Sequence, residues 1–596
     1  MSSLDQTQAV TLRGLVLLVG DLANLVVDSI GPHGKAVMIN VHSPKQIVVT
    51  KNGLDILEAI RGRQHPLADK ILDMIGSHIS RFGDGTKRIL VMLNHFLRAL
   101  EKEQPLQPGS DLEVKWRIEI LAQIRRFRHC TFSQVLNNLR DHPQVVKKIL
   151  SWNDLEDILC HIVKGFMSTR FPPASANILS ILLFEKFMKP YLETVLESSS
   201  EQQQEDPMEC IKNCMIEMSR HISKKVMLGI NQPVTNSMVL PSGFYLSQNQ
   251  TTNATISSNR NSRFIIWLAR LDDIGDNNYD DNTSNVVIKD GTLSEYSGWK
   301  FLKWKSETFR KFVLKLKSFR VNLIIKVNGL KDHEKSICQE LDMAVIEYVD
   351  REEAEDLASE ADILALNGSV YDNLQVVDEK FIGTTTKPLT EIRLGRHFYT
   401  QLTLPEKSVP RFPHVFICGM TQSSAEQYCK AMAQCLRLLA SPSLTRSSKC
   451  MAAIPETESH PGRATGVIEI TSLFAPDEDN NMRRSKANQD CFEYGLIKAL
   501  NIQLTSSTEA VKELDVILAL RKTLEALVSS GVATTSKYET SCSRKSPAVP
   551  YPLDSAIEQI NTMLDITEML LSIERICSVK RRIKDVISKD CDSDMF

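Results

Sequence analysis

Apolar residues recur at two different spacings along the chain. From residue 8 to 30 and from 65 to 102 they repeat at helical spacing, and Leu67, Ile71, Ile75 and Ile79 make one stripe. Between these segments, Val37-Met38-Ile39 and Ile47-Val48-Val49-Thr50 read as a short pair of strands. Residues 110–195 return to a helical pattern, with Trp152, Leu155, Ile158, Leu159 and Ile162 on one face. The polar run Ser198 to Pro207 reads as an exposed linker.

Beyond that linker the period changes. Phe264 to Leu268 reads as a buried strand and Gly275 to Asn285 as an acidic, Asn-rich loop. Residues 298–318 form a basic amphipathic pattern carrying Phe301, Trp304, Phe309, Phe312, Leu314 and Leu316 among lysines. A packed helix with a solvated basic face is favoured there over an apolar contact surface. Strand Val321–Val327, helix Asp332–Leu341, strand Ala344–Val349 and helix Arg351–Ala358 alternate, which predicts parallel strands with crossover helices. Strand Val415–Cys418 then leads through Gly419 into helix Ser423–Leu439. Polar stretches at 476–489 and 529–550 precede a long helical pattern from Leu553 to Ile587. No repeat of 20–50 residues is seen, which argues against a solenoid or a propeller.

Bulk properties narrow the picture. A chain of 596 residues exceeds one compact core, so roughly two to four domains are expected. With 71 Lys+Arg against 73 Asp+Glu there is no general pull toward nucleic acid or an anionic membrane. The most apolar early stretch, Leu15 to Ile30, is broken by Asp21 and Asp28, so no membrane insertion is expected. Met1 to Asp5 lacks a basic start, so no signal peptide is expected. The 13 cysteines include no Cys-x-x-Cys pair, which fits a reducing compartment and argues against zinc.

The candidate chemistry lies in three glycine-bearing turns: Gly31-Pro32-His33-Gly34-Lys35, Thr50-Lys51-Asn52-Gly53 and Gly83-Asp84-Gly85-Thr86-Lys87. A glycine turn that feeds a helix offers backbone N–H groups and the positive end of the helix dipole to a phosphate. Asp84 offers a carboxylate to Mg²⁺. A Walker A loop is excluded, because Ser29 stands at its first glycine and Ala36 where Ser or Thr should follow the lysine.

In this order, with His65-Pro66 between the second and third turns, the motifs resemble those of the group II chaperonins. That family has Gly-Pro-x-Gly, Thr-Asn-Asp-Gly, His-Pro and Gly-Asp-Gly-Thr-Thr. The likeness covers most of the chain and is strongest over residues 10–100. Within the superfamily, the run from Lys51 to Lys87 and the stretch Ile573 to Arg581 look most like the Bardet–Biedl syndrome chaperonin-like proteins. The resemblance implies a multidomain α+β and α/β architecture, with helical equatorial, intermediate and α/β apical domains. It divides the chain into equatorial (1–140), intermediate (141–207), apical (208–395), intermediate (396–445) and equatorial (446–596) segments.

The resemblance also implies an ATP/Mg site. Its nucleotide-binding candidates are Gly31, Pro32, Gly34, Gly53, Gly83, Asp84, Gly85, Thr86, Lys87 and Glu574, with Asp84 at the metal. Two water-positioning carboxylates of the family fall here on the amides Asn52 and Gln434, which leaves no catalytic residue. Losing one general base typically costs about 10²–10⁴-fold in rate. Lys87 replaces the second threonine, and three roles stay open to it: contacting a phosphate, occupying the metal position, or facing solvent. The family's late triple-glycine loop has no counterpart, since Cys450 to Val467 holds only Gly462 and Gly466.

The implied function is assistance in assembling the ciliary membrane-trafficking coat complex. Related chaperonin-like subunits and the cytosolic ring chaperonin are its expected partners, and coat subunits its clients. The expected location is the cytoplasm, at the centrosome or basal body and the cilium. An active ATP-dependent ring subunit and a nucleotide-free scaffold are the alternatives.

Overall fold

A computed structural model describes residues 7–193, 207–248, 261–268, 296–367, 377–405, 412–440, 468–473, 496–501, 514–530, 549–573 and 575–577. Short breaks fall at 32–33, 43–44, 62–64, 104–109, 141–145, 150–151, 225, 241–242 and 395–396. The chain divides into two compact units. One comprises residues up to Arg220 together with those from Lys430 onward; the other is His221–Cys429.

The first unit is largely helical. Strand β1 (Thr7–Ala9) precedes α1 (Leu12–Val27), and β2 (Val37–His42) and β3 (Lys45–Thr50) form an antiparallel hairpin. Helices α2 (Gly53–Glu58), α3 (Pro66–Phe82), α4 (Thr86–Glu103) and α5 (Asp111–Arg126) follow. The chain continues through a π-helical turn at Phe127–Thr131, α6 (Phe132–Arg140), β4 (Val146–Ile149), α7 (Trp152–Ser168) and α8 (Pro173–Ile181).

Helix α4 is the centre of this unit. Ile89, Leu90, Leu93, Phe96, Leu97 and Leu100 are all buried, on more than one face. Such a helix lies within a core, and each buried large side chain contributes about 1.5–3 kcal/mol. It packs against α1, α2 and α3, and against two helices from the far end of the chain, at Leu514–Ser530 and Leu553–Ser572.

The second unit carries the parallel strands. In its largest sheet, strands Arg263–Trp267, Leu323–Lys326 and Ala344–Ile346 run parallel, with Gly383–Thr384 antiparallel at the edge. Side chains alternate with a period of two. Ile265, Trp267, Ile324 and Val345 enter one apolar cluster, and Phe264, Ile266, Leu323 and Ile325 enter the other. Both faces are therefore covered, as parallel sheets require. Helix Tyr296–Ser318 buries Phe309, Phe312, Val313 and Leu316 in the first cluster and leaves Trp304 and Leu314 exposed. The packed-helix reading of this segment is the one the structure supports. Strand Val415–Gly419 pairs parallel to Val226–Ile230 and antiparallel to Met238–Val239.

Three expectations change. The helical span 65–102 is two helices, because Gly83 takes φ 76° and ends α3 in a left-handed cap. Val146–Ile149 is a strand rather than part of a helical run, since it pairs with Ile468–Leu473. The last helix stops at Ser572, because Ile573 is extended and Arg575–Cys577 pairs antiparallel with Thr7–Ala9. The loops expected at Gly275–Asn285 and 476–489 lie outside the described residues.

One buried arginine ties the chain ends together. Arg117 on α5 donates to the carbonyls of Val10, Leu570, Leu571 and Ile573 at 2.6–3.3 Å. It thereby satisfies carbonyls that the end of a helix leaves open. Arg117→Met strands those buried acceptors and is expected to cost about 3 kcal/mol or more, since each orphaned group costs about 1–3 kcal/mol. Urea unfolding of the full chain measures it, and a loss below about 1 kcal/mol contradicts the role assigned to this side chain.

Candidate functional site

Close backbone approaches bring the glycine turns together. After α3, the Cβ that Gly83 lacks would lie 2.0 Å from the main-chain oxygen of Gln434, and Gly85 has φ 114° with the Gln559 side chain 2.9 Å from its missing Cβ. Neither position admits another residue without displacing its neighbour. Gly53 opens α2, and a Cβ there would meet Cγ of Lys87 at 2.7 Å. The third turn begins α4, whose Ile89 N–H donates to the Gly85 carbonyl at 2.9 Å.

Gly31, Gly53, Asp84, Gly85, Thr86 and Lys87 all line one cavity of about 60 Å³. Asn52 joins them, so the three turns converge. Gly34 and Gly83 hold the turns rather than the cavity wall: Gly34 packs on the Ser29 main chain and Gly83 on that of Gln434. Gln434 is 3 % exposed and lies outside the cavity. Pro32 and Glu574 fall outside the described residues, as do Cys450 to Val467.

The expected amides have other work. Asn52 accepts from the Leu54 N–H at 3.4 Å as the cap of α2 and donates from Nδ2 to Asp55 at 3.0 Å. Asp55, in turn, is held by Lys430. Gln434 places its backbone against Gly83, and its Oε1 has no hydrogen-bond partner among the described residues.

Several cavity residues were not found by sequence reasoning. Arg170, just past the end of α7, donates from Nη2 to Oδ1 of Asp84 at 3.0 Å, and its guanidinium lies 3.6 Å from the Phe166 ring centroid. The hydroxyl of Tyr551 stands 3.5 Å from Oδ2 of Asp84 and accepts from Gln559 at 2.8 Å and from Ser555 at 3.3 Å. Burial, with Asp84 adding to it, pushes the Tyr551 hydroxyl far above its usual range. Lys51 and Arg88 complete the cationic wall. No local pattern marks Arg170, because its partner lies 86 residues away.

Lys87 does not face open solvent. Its Nζ donates to the Ser29 carbonyl beyond the end of α1 at 2.6 Å, where a cation suits the helix dipole. Burial first, then Arg170 and Lys51, lowers its pKa to about 7, and Asp84 acts in the opposite sense.

These residues do not fit a hard divalent cation. Mg²⁺ needs at least one carboxylate free to ligate, with waters and substrate phosphates completing a near-ideal octahedral shell. Here the one carboxylate, Asp84, lines the cavity together with Lys51, Lys87, Arg88 and Arg170, and it is already bound to Arg170.

Comparison with known proteins agrees with this geometry. The sequence model of the TCP-1/cpn60 chaperonin family matches residues 22–110, the stretch holding all three turns. The crystal structure of a group III chaperonin in the open state matches with a TM-score of 0.57 at 14 % identity, covering 95 % of this chain and 98 % of that one. The chain therefore has a multidomain chaperonin fold, and its residues 22–110 are similar to the chaperonin family. Over 71 residues it is 35 % identical to the BBSome complex assembly protein BBS10 of Homo sapiens and of Pongo abelii, and 34 % identical to that of Mus musculus. The match covers 12 % of this chain and about a tenth of the length of those relatives.

His78 sits behind the third turn, 4 % exposed, with Nδ1 2.8 Å from the Thr562 hydroxyl. Burial pushes its pKa down to about 4, against the opposing pull of Asp84. The folded state therefore resists the proton that the unfolded chain takes up below about pH 6.5, and stability falls as the pH drops from there toward 4. At pH 5 the loss is about 2 kcal/mol relative to pH 7. Urea titrations of the wild type and of His78→Gln at both pH values check this, and equal losses in the two proteins rule it out.

Proposed function

We propose that this protein is a chaperonin-like assembly factor that supports assembly of the BBSome, the ciliary membrane-trafficking coat, without turning over ATP. The similarity to proteins named for BBSome assembly supports the client, and the chaperonin fold supports the mode of action. The observation that carries the absence of turnover is the cavity itself. Asp84 is the one carboxylate among its lining residues, and that carboxylate is bound to Arg170. Asn52 stands beside it as a helix cap and has no basic group to take a proton from water.

Its partners in this reading are related chaperonin-like subunits and the cytosolic ring chaperonin, in the cytoplasm and at the basal body. Clients are chosen by apolar and shape complementarity rather than by nucleotide-driven cycling. Native purification of the full chain from ciliated cells tests this. Ring-chaperonin subunits and BBSome components are expected among the co-purifying proteins, and their absence rejects the client assignment.

An ATP-driven ring subunit is the competing reading, favoured by Asp84 and by the preserved turns. Single-turnover phosphate release separates the two. We expect a rate at least about 10²-fold below that of an active chaperonin and insensitive to Asp84→Asn. Release that depends on Asp84 restores the ATPase.

A further inference from the structure

We infer that the cavity between the three glycine turns is a metal-independent phosphate site, in which side-chain cations, Arg170 foremost, supply the positive charge that a divalent ion would otherwise bring. The inference holds whichever clients the protein serves, and it fails separately from the client assignment.

Four observations carry it. The wall is cationic: Lys51, Arg88 and Arg170, with the partly charged Lys87, line the same cavity as the single carboxylate Asp84. That imbalance repels Mg²⁺ and attracts an anion. Secondly, α4, a helix of 18 residues, begins at this wall, so Thr86 and Lys87 present the positive end of its dipole. Thirdly, two buried polar atoms at the wall have no hydrogen-bond partner among the described residues: Nε of Arg170 and Oε1 of Gln559, which is 1 % exposed. Buried polar groups are nearly always satisfied, so each points to a ligand or water atom. Hydrogen phosphate answers both, because its oxygens accept from the guanidinium and its O–H donates to the amide oxygen. Lastly, the cavity holds on the order of four or five waters, which is room for a phosphate group.

Crowding of the cations is the strain that a ligand relieves. Arg170 and Lys51 both act against the charge on Lys87, whose ammonium is buried at the same wall. An added anion offsets that repulsion without any metal.

The phosphate group can belong to free phosphate or to a nucleotide whose base lies outside this cavity. Thermal unfolding of the purified full chain tests the site and distinguishes these sources. In EDTA, at constant ionic strength, inorganic phosphate is expected to raise the midpoint saturably. Mg²⁺ alone is expected to leave it unchanged. ATP in EDTA saturating at lower concentration than phosphate assigns the group to a nucleotide, and the reverse order assigns it to free phosphate. Either order supports a metal-independent site. Arg170→Gln should weaken the apparent affinity at least tenfold. Lys51→Met, at a half-buried loop position, should weaken it severalfold while leaving the far-ultraviolet circular dichroism unchanged. Stabilisation by Mg²⁺ alone, anion stabilisation that requires Mg²⁺, or no saturable response to any anion overturns the proposal.

Discussion

The first unit depends on a helix that has nowhere to move. Helix α4 buries residues on several faces against α1, α3 and two helices from the C-terminal part of the chain. Its N-terminus can reach that position only through a turn in which Gly83 and Gly85 both adopt positive φ and the main chain of Gln434 touches Gly83. A side chain at Gly83 collides with the Gln434 backbone, and one at Gly85 with the buried Gln559 side chain. The same turn carries Asp84 into the cavity. Packing of the core and placement of the site are therefore one constraint, and the glycines persist for a structural reason whether or not nucleotide is processed.

That coupling explains how chemistry can change while architecture remains. The Gly53 position lets α2 meet the first turn of α4, and this contact does not depend on what residue 52 does. Asn52 can then serve as a cap, binding the Leu54 N–H and Asp55. Lys87 is drawn to the Ser29 carbonyl and Arg170 to Asp84. Asn52 and Lys87, which replace family residues, have both found partners inside the protein, whereas Oε1 of Gln434 has none among the described residues. Partly buried pairs of this kind add little net stability, but removing one member leaves a charge uncompensated.

Much of the fold was legible because it is written in local periodicity. The four-residue stripe from Leu67 to Ile79 gives α3, and the alternation after Val321 gives the parallel sheet. The glycine turns were legible as turns, and their order gave the chaperonin likeness. What local pattern cannot show is pairing across the chain. Val146–Ile149 becomes a strand only because Ile468–Leu473 lies beside it, and the last helix ends early because Arg575–Cys577 joins Thr7–Ala9. The site follows the same division. Its glycines and Asp84 were visible, whereas Arg170, Tyr551 and Gln559 arrive from distant segments with no motif of their own. Gln434, expected to stand in for a water-positioning carboxylate, meets the third turn with its backbone, and it is not among the residues that line the cavity.

The charge inventory is what supports the proposed lack of cycling. A nucleotide-driven machine must change charge at its centre with every turnover, because a metal and a polyphosphate enter together and leave in pieces. Here the positive charge is covalently part of the chain: Arg170 is stacked on Phe166 and bound to Asp84, and Lys87 is anchored on Ser29. Binding a single anion changes the total charge of the cavity but displaces none of these cations. Such a centre responds to ligand by becoming more stable rather than by switching state, since a ligand shifts a conformational equilibrium only by its differential affinity for the two states. A constant platform of this kind is what the proposed assembly role, without nucleotide turnover, would call for.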